Sequence, residues 1–224
     1  ASLEIAVADI VLGDLVEIGG YPRQSKTVEY SLLAYPLRLL TACRRPPPEK
    51  FAGISDTELK YRKRYLDLMS SEETRARFIV RTYIIRAIRK YMDNQDFLEV
   101  ETPTLSSIAS GANAKPFVTH HNALDMEMRL RIAPELHLKR LLVGGMDRVY
   151  EIGRNYRNEG IDTRHNPEFT MMESYQAYGN FPELISQTKR LLISITQYCR
   201  MHLPDNVLSF FNKWVENSPN SLSH

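Results

Sequence analysis

Two cysteines, Cys43 and Cys199, are all that this 224-residue chain contains. They lack Cys-x-x-Cys spacing, which argues against a disulfide framework and against a zinc site, and fits a reducing compartment. No apolar run approaches the roughly 20 residues of a membrane-spanning helix. The first ten residues lack the basic start and apolar core of a secretory signal, so a cytoplasmic protein with no membrane partner is expected. A dominant charge is missing too: 29 basic and 27 acidic side chains leave +2, and a polyanion would need a local basic patch. What is present, 43% hydrophobic and 25% charged residues, is the composition of a soluble globular protein. The length suits one large domain, or a small one attached to a medium one. The chain opens on Ala1 rather than Met, and a missing upstream part is expected.

Residues 1–43 carry short apolar runs (Leu15 to Ile18, Tyr30 to Tyr35, Leu37 to Leu40) separated by Gly19-Gly20, Tyr21-Pro22 and Pro36, the pattern of short strands and turns. They are too few to close a barrel. Arg44-Arg45-Pro46-Pro47-Pro48 reads as a stiff linker, and the domain boundary is expected there. Ser70-x-x-Glu73 reads as a capping box, and Phe78, Arg81, Ile85, Ile88 and Met92 follow at helical spacing. A helix over 71–92 is predicted, ending at Asn94 to Asp96, with Phe97 to Glu101 as a strand that stops at Thr102-Pro103. Ordinary helix-on-sheet packing explains this unit equally well.

Residues 108–122 are expected to be loop and Met126 to Ile132 extended. Pro134 sits where a first helical turn accepts proline, and Leu136 to Val143 continues until Gly144-Gly145. Glu135 in that first turn is favoured by the helix dipole, and capping alone would account for it. Arg148 to Arg157 and Glu168 to Tyr175 read as strands flanking the polar loop 158–167. Alternation puts Phe169, Met171, Glu173 and Tyr175 on one face. A core strand would not carry a carboxylate and a phenol in that row, since a buried unpaired carboxylate is costly. The row reads as the floor of a site. Arg157, at the end of the facing strand, offers a two-pronged grip on phosphate oxygens, with Glu159, Arg164 and His165 on the loop. A flat ring, a guanidinium and an imidazole match a nucleotide's base and phosphates; an exposed salt-bridged hairpin is the other reading.

Tyr156-Arg157-Asn158-Glu159-Gly160, His165-Asn166-Pro167-Glu168-Phe169 and Met172-Glu173-Ser174-Tyr175 together resemble motif 2 of class II lysyl-tRNA synthetases, with Tyr156 where that family usually has Phe. Ser71 to Pro103 resembles its motif 1, which in the family forms the dimer interface. Arg131-Ile132-Ala133-Pro134-Glu135-Leu136 and Glu49 to Leu68 are similar to further family segments, and residues 13–43 to the last part of its OB-fold anticodon-binding domain. The resemblance covers about 13–195. It implies an α+β fold: a partial OB-fold β-barrel segment (1–43), a linker leading into the catalytic domain (44–69), an incomplete class II antiparallel sheet with flanking helices (70–198) and a divergent tail (199–224).

By that resemblance Arg157 would hold the ATP α-phosphate and the lysine carboxylate, a positioning effect that supplies roughly 7 kcal/mol in favourable cases. His165 would meet the γ-phosphate, Phe169 would stack on adenine, and Glu159 and Asn166 would seat the nucleotide. Gly111 and Glu135 would receive the α-ammonium. Glu173 and Tyr175 would line the side-chain pocket, and their chemistry fits lysine where an aspartyl enzyme would need a cation. The implied reaction forms lysyl-adenylate with Mg²⁺ assistance, then charges tRNA(Lys), in a homodimer joined through 71–103. Ser110-Gly111-Ala112 stands where Gly-Gly-Ala is common in the family, and Arg129 where Tyr or Phe is frequent. A glycine-rich segment ending in arginine (motif 3) and downstream carboxylates for Mg²⁺ are not found, so weak or no lysine activation by this polypeptide alone is expected. Two other readings stay open: a lysine ligase paralogue acting on a protein, and a catalytically silent dimerisation or regulatory module.

Overall fold

The computed structural model describes residues 9–24, 30–45, 47–48, 53–162 and 164–217. Ala1, Pro46, residues 49–52 of the Glu49 to Leu68 stretch, and the end of the tail, 218–224, lie outside them. The chain divides into two compact units, residues 1–78 and 79–224.

In the first unit, β1 (Leu15–Gln24) and β2 (Tyr30–Thr41) form a two-stranded antiparallel sheet. The three expected short runs are thus two long strands, and Pro36 lies inside β2 rather than between strands. It is tolerated because the register shifts there, Ile18 facing Leu37 while Gly20 faces Ala34; a bulge does not need the missing N–H. Helix α1 (Thr57–Arg62) is capped by Asp56, whose Oδ1 accepts from the Glu58 and Leu59 amides at 2.8 and 3.2 Å. In α2 (Arg64–Ser70) the buried Asp67 takes Arg64 Nη1 at 2.6 Å and the Thr74 hydroxyl at 3.2 Å.

Helix α3 (Glu72–Asp93) confirms the predicted helix with two corrections. Its cap is Ser71, whose Oγ accepts from the Thr74 amide at 3.1 Å, whereas Ser70 ends α2 and bonds back to the Leu66 carbonyl. The buried face runs through Ala76, Val80, Ala87, Tyr91 and Met92, so the C-terminal half of the expected stripe (Ile85 and Ile88 half-buried, Met92 buried) holds, whereas Phe78 and Arg81 are exposed. Alanines allow close approach but carry little hydropathy, so a stripe chosen for apolar bulk misses them. Arg81 instead reaches the Thr170 hydroxyl at 2.9 Å.

In the second unit, β3 (Leu98–Glu99) is only two residues of the expected strand and runs parallel to β7 (Arg148–Tyr156), which pairs antiparallel with β8 (Glu168–Gln176). A second sheet joins β4 (Leu105–Ser106), β5 (Val118–His121) and β6 (Met126–Leu130) in the order β4-β6-β5. Strand β5 corrects the expectation of a loop throughout 108–122. Helix α4 (Glu135–Val143) follows Pro134, which occupies its cap position, and stops at Gly144 as predicted. Two further helices, α5 (Phe181–His202) and α6 (Asp205–Glu216), complete the unit. Cys199, Leu203, Val207 and Phe211, four apart through that corner, are all buried.

One face of β7–β8 is core: Tyr91, Met92, Phe97 and Tyr150 pack together, with Ile88, Ile152, Met172 and Leu191 against them. The Tyr150 hydroxyl donates to Asp93 Oδ1 and Glu99 Oε2, both at 3.2 Å. Burial, then the Glu99 and Asp93 charges, raise its pKa, so the phenol stays protonated. Cross-strand partners share a face. The other face therefore carries Glu151 opposite Glu173, Gly153 opposite Met171, Asn155 opposite Phe169, and Val149 opposite Tyr175. The architecture is α+β with open sheets.

Candidate active site

The acid end of that face is built by three elements. Tyr175 donates its hydroxyl to Glu173 Oε2 at 3.0 Å, so the two residues predicted to share a pocket also share a hydrogen bond. Burial raises the Glu173 carboxyl above its ordinary 4.5, and the nearby Glu135 and Glu151 charges push the same way against the Tyr175 hydrogen bond and Arg131. Tyr175 is raised as well, by burial and then by Glu173. Glu135, in the first turn of α4, comes close enough to act on both. Its Oε1 accepts from Lys139 Nζ one turn on, at 2.5 Å.

Gly111 lies against Glu135. Its φ is +86°, and a Cβ there would stand 2.8 Å from Glu135 Cβ and 3.1 Å from Ala133 Cβ. Both the left-handed conformation and the lack of space require glycine. The structure thus sets Gly111 against Glu135 and bonds Tyr175 to Glu173, with the Glu135 charge acting on both.

Beneath them lies a cluster that the sequence reading passed over. Arg131 Nη1 meets Glu151 Oε1 at 2.5 Å, with both side chains 5% exposed. The Thr102 hydroxyl donates to Glu151 Oε2 at 2.6 Å, and Arg131 Nε donates to the Arg154 carbonyl at 2.9 Å. The guanidinium crosses β7 directly over Gly153, where any Cβ would collide with it. A glycine inside a strand is the signal that could have found this close approach.

The other end of that face lies where β7 leaves the sheet. The Arg157 guanidinium carbon sits 5.1 Å from the centre of the Phe169 ring, and its amide donates to the Pro167 carbonyl at 2.9 Å. Arg157 Nε is buried and has no hydrogen-bond partner among the described residues. A buried donor without an acceptor is costly, and a phosphate or carboxylate oxygen would satisfy it. Asn155, on the same face and fully buried, likewise leaves both amide atoms unpartnered.

The loop residues are held differently from expectation. His165 is exposed, with Nδ1 2.7 Å from Asp162 Oδ2, and Asp162 Oδ1 accepts from the Arg164 and His165 amides at 2.6 and 2.8 Å. Those backbone bonds, the Arg164 amide first, hold the Asp162 carboxyl below its ordinary value. Asp162 therefore organises the turn that carries His165, a role its sequence position did not reveal. Asn166 and Glu159 are exposed as well; Glu159 Oε1 accepts a long 3.4 Å bond from the Lys115 amide. The Glu159 amide donates to the Arg157 carbonyl at 3.0 Å, but the described contacts of the three side chains do not include the Arg157 guanidinium. Arg129 is tied to Glu127 at 2.5 Å and to the Ser107 carbonyl at 3.0 Å, so it contributes to the β4-β6-β5 sheet.

A concavity of 670 Å³ lined by Asp96, Met146, Arg148, Gln176 and Tyr178 lies at the far end of β7–β8 and includes none of these groups. Its chemistry does not match the site. Among the described residues no three or more His, Cys, Asp or Glu side chains are arranged to hold a metal ion.

The model for tRNA synthetases class II (D, K and N) matches residues 56–217. The chain is 56% identical over 186 residues to a lysine–tRNA ligase of Lysinibacillus sphaericus, covering 83% of this chain and 37% of that protein. It is 57% identical over 180 residues to the lysine–tRNA ligase of Legionella pneumophila strain Corby, with 80% and 36% covered. Against the Listeria monocytogenes ligase it is 56% identical over 184 residues, with 82% and 37% covered. The chain spans a little over a third of the length of these curated relatives.

Proposed function

Since the chain belongs to the class II tRNA synthetases of the D, K and N group, we propose that it serves the ATP-dependent activation of lysine and its attachment to tRNA(Lys). The observation that carries the choice of lysine is the half-buried Glu173 with Tyr175 bonded to it and Glu135 nearby. An aspartate side chain would meet three carboxylates there, and the one arginine beneath is already paired with Glu151. A lysine ammonium supplies the missing counter-charge. The three relatives named above are lysine–tRNA ligases, which supports the same substrate.

In this reading the lysine α-ammonium sits between Gly111 and Glu135, and the carboxylate reaches Arg157. A carboxylate oxygen attacks the α-phosphorus of ATP. The bond to the bridging oxygen of the β-phosphate breaks, and pyrophosphate leaves with the electron pair. Arg157 would hold nucleophile and α-phosphate together and spread the developing charge, while Phe169 would stack on adenine and Glu159 and Asn166 flank it. His165, on the turn built by Asp162, would meet the γ-phosphate. Mg²⁺, when bound with ATP, would neutralise triphosphate charge.

A homodimer through 71–103 goes with this reading, supported by exposed Ile79 and Leu98, and so does a cytoplasmic location. No described helix is long and apolar enough to cross a membrane. Isothermal titration of the chain with L-lysine, L-asparagine and L-aspartate tests the substrate. Measurable binding of lysine alone is expected, and equal binding of aspartate would overturn the reading.

A further inference from the structure

Burying an arginine and a glutamate together seldom stabilises a fold more than two apolar side chains of equal volume would. The Arg131–Glu151 pair, 2.5 Å apart and 5% exposed on each side, is therefore weakly explained by stability. Its placement suggests another task. Glu151 is the cross-strand partner of Glu173. Its other oxygen is occupied by the Thr102 hydroxyl, and Gly153 gives up its side chain so that the guanidinium can lie across the strand.

We infer that Arg131 and Glu151 are positioning residues for ammonium recognition: the arginine neutralises the carboxylate that faces Glu173 across the two strands, so that Glu173 can carry the pocket's negative charge. This rests on the lysine reading of the same pocket. An unpaired Glu151 would repel Glu173 through a poorly solvated gap, and one of the two would take up a proton. A protonated Glu173 offers an ammonium no counter-charge. The groups facing Glu173 are Tyr175 on its own strand, Glu151 on β7, Glu135 at the start of α4 with Lys139 bonded to it, and Arg131 just before that helix. Arg131 is the one cation among them with a direct effect on Glu173. Its Nε bond to the Arg154 carbonyl also fixes β7 three residues before Arg157, tying the ammonium and phosphate ends to one side chain.

The test follows the Glu173 side-chain carboxyl by carbon-13 NMR against pH, without ligand, in the wild type, E151Q, R131M and the R131M/E151Q double variant. E151Q should move the Glu173 midpoint down and R131M should move it up, with the double variant between them. A midpoint that E151Q leaves unchanged or raises overturns the inference. Should R131M not fold, E151Q and the double variant still decide it, because glutamine keeps the shape and the Thr102 contact. Titrating L-lysine and L-norleucine into the wild type separates this from the underlying reading. If lysine binds no better than norleucine, the lysine reading fails, whatever the midpoints do. If lysine is preferred, the acid limb of its binding profile should follow the Glu173 midpoint, moving to lower pH in E151Q; an acid limb that stays put also overturns the inference.

Discussion

A Cβ placed on Gly111 would stand 2.8 Å from the Cβ of Glu135, a separation that real side chains do not adopt. Helix α4 and the 110–112 turn are thus fitted to each other at the point where the α-ammonium is proposed to bind. Gly111→Ala must both strain a φ of +86° and displace Glu135. The expected cost is about 1–3 kcal/mol of stability with loss of lysine binding. Urea unfolding and calorimetric titration check the two effects separately.

Arg157 behaves differently because its Nε lacks a partner among the described residues. Arg157→Ala should leave urea stability within about 1 kcal/mol of wild type. It should weaken a non-hydrolysable lysyl-adenylate analogue by about 2–4 kcal/mol, the scale of a charge-assisted contact in a closed site. Arg157→Lys restores the charge without the fork and should recover only part of the loss. Unchanged binding in the alanine variant would count against the anion grip.

Glu173 offers a trade of stability for function. A carboxyl whose folded pKa is raised above its unfolded value destabilises the fold once ionised, and that penalty disappears as pH falls through the folded value. Because Glu173 is raised, Glu173→Gln should unfold at a temperature higher by about 1–3 °C near neutral pH, with the gain shrinking in acid. Lysine binding should fall in the same variant. A lower melting temperature at pH 7 would contradict the electrostatic description.

Lysine binding in the wild type should weaken as the solution is acidified, beginning above the ordinary glutamate value of 4.5, because the protonated acid no longer pairs with the ammonium. Norleucine, which ends one atom short and carries no terminal ammonium, should lack the Glu173-dependent part of that acid limb. Calorimetry from pH 4 to 8 distinguishes the two.

Gly153→Ala should be strongly destabilising. The new carbon would fall on the Arg131 guanidinium and stand 3.0 Å from Glu151 Oε1. Breaking a buried ion pair commonly costs about 3–5 kcal/mol, and chemical unfolding should show a loss of that order.

Much of this molecule was legible in its residues, for reasons that can be named. Period-two alternation from Glu168 to Tyr175 put Glu173 and Tyr175 on one face, and their 3.0 Å hydrogen bond bears this out. Pro134 and Gly144 bracketed α4. What escaped needed three-dimensional pairing. Arg131 and Glu151 are 20 residues apart, and nothing local marks either as the other's partner; only Gly153 hints at the crossing. The burial of α3 ran through alanines that a pattern of bulky residues overlooks, and its cap fell on the second of two adjacent serines. Strand β5 was hidden because Val-Thr-His-His, mostly exposed, lacks an apolar alternation.

Whether this pocket reads a cationic side chain is measured most directly by calorimetry with two non-hydrolysable adenylate analogues, lysyl and norleucyl, against wild type and Glu173→Gln. The expected result is a preference of about tenfold or more for the lysyl analogue in the wild type, the scale of a charge-assisted hydrogen bond, abolished by Glu173→Gln. Equal affinity for the two analogues in the wild type, or a lysyl preference that survives the substitution, would contradict it.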